Sequence, residues 1–183
     1  MSNDFDIRLL TAERIAAAPT DAELSEHDGT WVLTVRRVLA HPPSEVWPML
    51  TDPAQLVRWS PIVPDRVLDS AGPALSRESP DTEPVDVEVL QCRVPDELVH
   101  RWGSNVLRWR LRAVPDGTHL TLEQSFGDRT EAPLYGAGWQ VCLGVLGLLD
   151  DGVDAPRVVG PESLQYGWER VRDQYASLFT PQP

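Results

Sequence analysis

A single change of period constrains this chain most. From Glu97 to Phe126 apolar residues alternate with polar ones, and from Pro133 to Leu149 they recur at helical spacing. In the first run Leu98, His100 and Trp102 share one parity, as do Leu107, Trp109 and Leu111, and Leu120, Leu122 and Phe126. Alternation of this kind makes a strand with one apolar face. The breaks at Ser104-Asn105 and at Pro115-Asp116-Gly117 read as hairpin turns. The second run, PLYGAGWQVCLGVLGLLDDG, sets Tyr135, Trp139, Cys142, Leu143, Leu146 and Leu149 on one side and Val141, Val145 and Leu148 on another. A helix apolar nearly all round must be covered on two sides. The acids Asp150 and Asp151 sit badly at the negative end of a helix, so the helix is expected to stop there, with Gly152 as its cap.

Upstream, Thr30 to Ala40 is β-branched and aromatic. Trp31, Leu33, Val35 and Leu39 share one parity, interrupted by Arg37. Pro42 and Pro43 end this strand. In SEVWPML, Ser44 can cap a helix that Pro48 keeps to a turn or two. Asp52-Pro53 with Gln55 starts a second short helix, which ends before Pro61. Val46, Leu50, Leu56 and Trp59 are expected to face inward from these helices and to roof a hollow. DRVLDSAG reads as a strand and turn, and PALSRES as a weak edge strand. In PVDVEVLQCRV the parity switches from Val85, Val87 and Val89 to Leu90, Cys92 and Val94, as a β-bulge would make it do.

The organisation expected is an N-terminal extension over residues 1–29 (one helix and a linker, loosely attached), a domain over 30–152, and a linker and C-terminal helix over 153–183. In that last helix Leu164, Trp168, Val171, Tyr175, Leu178 and Phe179 form one apolar stripe, which would supply the long helix with its second cover.

Composition excludes several functions. With 28 acidic and 16 basic residues the formal charge is −12. Such a surface repels phosphate backbones and anionic headgroups, so neither nucleic acid nor membrane is an expected partner. All 16 basic residues are arginine, which removes lysine-based covalent chemistry. Cys92 and Cys142 have no metal-ligand spacing and read as small buried hydrophobes in a reduced, cytoplasmic protein. MSNDFDIRLL does not read as a signal peptide. The run Ala132–Leu149 just reaches the length of a membrane span, but its amphipathic neighbours favour a core helix. No nucleotide, metal or nucleophile motif is present, so no cofactor is implied.

The order strand, two short helices, antiparallel sheet of about six strands and long C-terminal helix resembles the α+β helix-grip fold of the START and birch-pollen-allergen-like superfamily, also called SRPBCC. Within it, HPPSEVWPMLTDPAQLVRWSP, VLQCRVPDELVHRWG, PDGTHLTLEQSF and GAGWQVCLGVLGLL are similar to the family named for activators of a heat-shock-protein ATPase, over roughly residues 30 to 150. The resemblance implies a sheet curved around the long helix, with space between them closed by the short helices.

Trp59, His100, Trp102, Trp109, Gln124, Tyr135, Trp139 and Leu143 are the candidate ligand-binding residues. His100, Gln124 and Arg37 fall on apolar parities, where an unpaired polar group costs a few kcal/mol. Either they orient a ligand, with His100 able to move a proton, or they bond one another, the backbone or buried water. Arg58 could reach an anionic group at the mouth or be a surface residue. Arg108, Arg110, Arg112 and Glu123 form a solvated charge face. Three functions follow: binding of a small hydrophobic molecule such as a lipid, polyketide or aromatic metabolite; cyclase- or aromatase-like catalysis in the same space, for which only His100, Arg37 and Tyr135 could serve; and the co-chaperone role the family name implies. A homodimer, with the extension ordered against a second subunit, stays open.

Overall fold

The alternating runs become strands of one antiparallel sheet in the computed structural model, which describes residues 2–17 and 21–180. In chain order the first elements are α1 (Ser2–Ala17), β1 (Ala22–His27), β2 (Thr30–Leu39), α2 (Pro43–Thr51) and α3 (Pro53–Leu56). They are followed by β3 (Leu75–Ser76), β4 (Val85–Asp86), β5 (Val89–Arg93), β6 (Glu97–Trp102), β7 (Asn105–Val114) and β8 (Gly117–Phe126). The long helix α4 (Ala132–Asp150), a 3₁₀ segment Gly160–Tyr166 and α5 (Trp168–Leu178) complete the chain. The six-stranded sheet has the order β1-β2-β8-β7-β6-β5, while β3 and β4 pair separately. This is the α+β architecture expected, a sheet of six strands against one long C-terminal helix.

Register decides what faces that helix. Val89, His100, Leu107, Gln124 and Leu33 are successive cross-strand partners, so one transverse row of the inner face carries both His100 and Gln124. The adjacent row joins Leu98, Trp109 and Leu122. The bulge expected in 85–94 lies between Val89 and Gln91, where the register shifts. It turns Leu90 out to solvent while Val87 and Val89 stay buried. At the β7–β8 turn a side chain on Gly117 would overlap the carbonyl of Leu39, and its φ is +133°; only glycine fits there. On the outer face Glu97 accepts from Arg108 and Arg110 at 3.0 and 3.2 Å. Burial pushes the Glu97 carboxyl up, but the hydrogen bonds from Arg110 and Arg108 outweigh it and leave it below the usual range.

Three expectations are corrected. The extension is not separate: β1 pairs with β2 as the sheet's edge strand, so the two short helices follow the second strand. Of the linker expected over residues 19–29, residues 19 and 20 lie outside the described residues, and Ala22–His27 forms β1 instead. DRVLDSAG forms no strand; Leu68 is buried there while Arg66 ties the loop by donating to the carbonyls of Val67, Ser70, Gly72 and Pro73. The final helix is interrupted at Gly167, which has φ +81°, so Leu164 lies in the preceding 3₁₀ segment and is exposed, as is Leu178. Val171, Tyr175 and Phe179 are the part of that stripe buried on the domain.

α4 is covered on several sides because small residues let its neighbours approach. A Cβ on Gly136 would lie 2.4 Å from the Tyr175 ring, and one on Gly144 would lie 3.0 Å from Ile15. Gln140 donates to the carbonyl of Ile15 at 2.9 Å, which satisfies the end of α1. The helix is long and apolar enough to cross a membrane, but it is mostly buried in the domain. The acids at its negative end are accounted for. Asp150 turns onto the end of β2 and accepts from the Ala40 N–H and from His41 Nδ1, and Asp151 pairs with Arg14.

Three stability predictions follow from these contacts. Gly136→Ala should destabilise by about 1–3 kcal/mol through overpacking on Tyr175, measured by urea unfolding. Gly147→Ala, where a Cβ meets nothing within 4 Å, should be neutral or stabilising by up to about 1 kcal/mol. The hydrogen bond that His41 donates to Asp150, then the charge of Asp150, raises the His41 pKa. The stabilisation is therefore complete below the ordinary imidazole value and weakens as pH rises through the higher folded value. His41→Ala should lower Tm more at about pH 5.5 than at about pH 8.5, on either side of that value.

Candidate functional site

The inner face of the sheet presents indoles, and each needs an acceptor for its N–H. Trp109 Nε1 donates to His100 Nε2 at 3.1 Å, and His100 Nδ1 donates to the carbonyl of Arg101 at 2.7 Å. Trp139 Nε1 donates to Gln124 Oε1 at 2.6 Å. Trp59 Nε1 donates to the carbonyl of Met49 at 2.9 Å. Edge-to-face contacts join Trp59 to Trp109 and Trp109 to Trp139, with centroids 6.1 and 5.4 Å apart, and Trp102 leans on Trp139 at 5.6 Å. The space enclosed by the sheet, the short helices and α4 is thus occupied by a packed tryptophan cluster.

The hollow lies beside that cluster. A cavity of about 460 Å³ opens along a flank of α4, between the helix and a strap formed by residues 158–164. The helix contributes Tyr135, Gly138, Trp139 and Cys142, and the strap contributes Val158, Gly160, Pro161 and Leu164. Trp102 closes the end nearest the sheet, Trp168 closes the other side, and Glu78 is also in the wall. Exposed Leu134 and Leu164 belong to the same lining. The strap is held by Arg157, whose guanidinium donates to the carbonyls of Ser60 and Glu78 at 2.8 to 3.0 Å. A second depression of about 530 Å³ lies across Glu78, but Asp65, Arg77, Ser79 and Arg157 make its lining more polar.

Of the candidate ligand residues, Trp102, Tyr135 and Trp139 are brought together in the cavity wall. Trp59, His100, Trp109, Gln124 and Leu143 are not in that wall; they are core beneath it. Trp59 in α3's wake and Trp47 in α2 are buried in the filled interior and do not roof the hollow. Arg37 points to the far side of α4, where its Nη1 donates to the carbonyl of Arg36. There burial pushes the Tyr175 phenol up and nearby Arg37 partly offsets the rise. Arg58 is at the surface with Asp154, 3.2 Å away.

Protonation states suit a quiet, apolar site. Burial lowers the His100 pKa to about 4, against a smaller opposing effect of its bond to Arg101. Burial pushes the Cys142 thiol up to about 12. Burial also raises the Tyr135 phenol, although Asn105 Nδ2 donates to its oxygen at 3.0 Å. At neutral pH His100 is an uncharged imidazole with both nitrogens occupied, which leaves it no proton to exchange with a ligand. Among the described residues, no three His, Cys, Asp or Glu side chains are grouped to hold a metal ion. The wall residues of the strap and Glu78 were not legible in advance. Gly160-Pro161 marks a chain direction, but nothing in it says which flank of α4 the chain will follow.

The family described as Activator of Hsp90 ATPase homolog 1-like protein matches residues 40–148. The chain belongs to this family. No curated protein sequence matches at a significant level. Among solved structures, the fold is shared with CalU16 from Micromonospora echinospora, at 22% identity and TM-score 0.65, over 86% of this chain and 94% of that one. It is shared with the conserved protein of unknown function EF2215 from Enterococcus faecalis, at 17% identity and TM-score 0.70, over 93% and 95%. DynU16, from the dynemicin biosynthetic locus, aligns at 25% identity and TM-score 0.60, over 68% of this chain and 49% of that one.

A buried base with a lowered pKa opposes folding in acid: stability present above the ordinary imidazole value declines as pH falls toward the folded value. Nitrogen NMR should find His100 neutral at about pH 5.5, well below the ordinary imidazole value. Its Nδ1 should carry the proton. His100→Gln, which keeps an acceptor for Trp109, should reduce the acid sensitivity of unfolding over the same range.

Proposed function

We propose that this protein binds a small hydrophobic molecule in the cavity between α4, the strap and Trp102. The observation that carries the reading is the cavity's wall: Trp102, Tyr135, Trp139 and Trp168 around about 460 Å³, with few polar atoms. That volume is in the range of small-molecule sites, and apolar walls with a few convergent polar groups are their usual character. Flat indole and phenol surfaces suit a rigid aromatic or polyketide-like ring system better than a flexible acyl chain, which loses more rotamer freedom when held. The likeness to DynU16, from the dynemicin biosynthetic locus, supports a small metabolite as guest. The reading includes a cytoplasmic location, which the two free thiols support. Binding, rather than general acid–base catalysis, is the reading favoured by His100, whose ring is spent on Trp109 and Arg101.

Gly138 offers a clean test. It lines the cavity, and a Cβ there meets nothing within 4 Å. Gly138→Phe should fill the hollow, keep the circular dichroism of the parent and weaken binding of a neutral phenylnaphthylamine reporter by about tenfold, or roughly 1.4 kcal/mol. Native mass spectrometry of protein from its own host should show a retained small molecule that the variant lacks. Equal reporter affinity in parent and variant would remove the cavity from the proposal.

A further inference from the structure

Within the cavity, one charged group stands out against an otherwise uncharged wall. Glu78 is half-buried, and no arginine is among the lining residues. Its carboxylate lies against the strap: Oε1 is 3.1 Å from where a Cβ on Gly160 would be. Arg157 is the nearby cation, and Glu78 opposes the lowering of its pKa by burial. The guanidinium is nevertheless directed elsewhere. Its Nε and Nη2 are engaged by the carbonyls of Ser60 and Glu78, and no ion pair joins it to the Glu78 carboxylate within 4 Å among the described residues. The carboxylate therefore keeps its acceptor capacity at the edge of an apolar hollow.

The remaining walls bias the same way. Trp102, Trp139 and Trp168 present aromatic surface, whose negative π-faces attract cations and repel anions. Tyr135 already takes one hydrogen bond, from Asn105. A guest carboxylate would meet an acid of like charge, with no lining cation to receive it, and would leave water to do so. An ammonium group would meet Glu78 and aromatic faces together.

We propose that Glu78 selects the charge of the guest, so that the cavity takes an aromatic amine, with its rings against Trp102 and Trp139 and its ammonium donating to the Glu78 carboxylate. This rests on the reading of the cavity as a ligand site. Fatty acids and aromatic carboxylates are disfavoured, and neutral alcohols are intermediate, since a hydroxyl can donate to the carboxylate without compensating its charge.

The test compares three probes on one skeleton: anthracene bearing an aminomethyl, a hydroxymethyl or a carboxylate group, titrated by tryptophan fluorescence at near-physiological salt, which screens the protein's overall charge. The amine should bind about fivefold more tightly than the alcohol, as for a partly exposed ion pair. The carboxylate should bind more weakly than either. Glu78→Gln should erase the amine's advantage over the alcohol. Glu26→Gln, on the exposed edge strand, removes the same charge remotely and should leave the ratios unchanged. Binding of all three probes with equal affinity, or an amine preference that survives Glu78→Gln, overturns the assignment to Glu78 while the ligand site stands. Failure of every probe to bind the parent protein overturns both.

Discussion

The structure depends on one requirement: α4 can present almost none of its surface to water. Its residues from Ala132 to Leu148 include an apolar group on every side, so each flank needs its own cover. The sheet covers one, with Leu33, Leu107 and Leu122 buried on its inner face. α1 and α5 cover others through close approach at Gly144 and Gly136. The strap covers the last flank incompletely, and the residual gap is the cavity. The cavity is thus the place where an apolar helix is least well served by its own chain, which is also why a hydrophobic guest would be stabilised there.

Filling the interior with tryptophan imposes a second requirement. An indole buries a large apolar area, but its N–H must still be bonded, and leaving it unbonded costs about 1–3 kcal/mol. His100 and Gln124 meet that need for Trp109 and Trp139. Their presence on an apolar parity is explained by packing. The same contacts hold His100 as one neutral tautomer and fix the orientation of the Gln124 amide, since only its oxygen can accept from Trp139. The same floor also sets the position of Trp139, whose ring passes from the core into the wall of the cavity.

Much of the fold was legible because its signals are local. The alternation in 97–126 gives three strands and their register, since a slip of one residue would turn Trp109 and Leu122 out to solvent. The parity switch after Val89 gives the bulge, and Asp52 with Pro53 gives the start of α3, where Asp52 accepts from the Ala54 N–H. The misreadings share a cause. β1, AELSEH, carries too little apolar pattern to signal a strand, and it is ordered by pairing with β2. Leu164 shares a helical stripe with Trp168, yet Gly167 adopts a left-handed conformation and separates them. For the site, Tyr135, Trp139 and Trp102 could be named because long aromatic side chains on inward parities must meet something. Glu78 and the strap could not.

From the amino-acid order alone come the element types, the inward faces and the necessity of an all-round cover for α4, because periodicity and turn chemistry act over a few residues. Which polar groups serve the indoles, where the uncovered flank falls, and that a carboxylate more than fifty residues from α4 stands in its wall were decided by tertiary packing. Those outcomes depend on distances between segments far apart in the chain, and no local pattern encodes such distances.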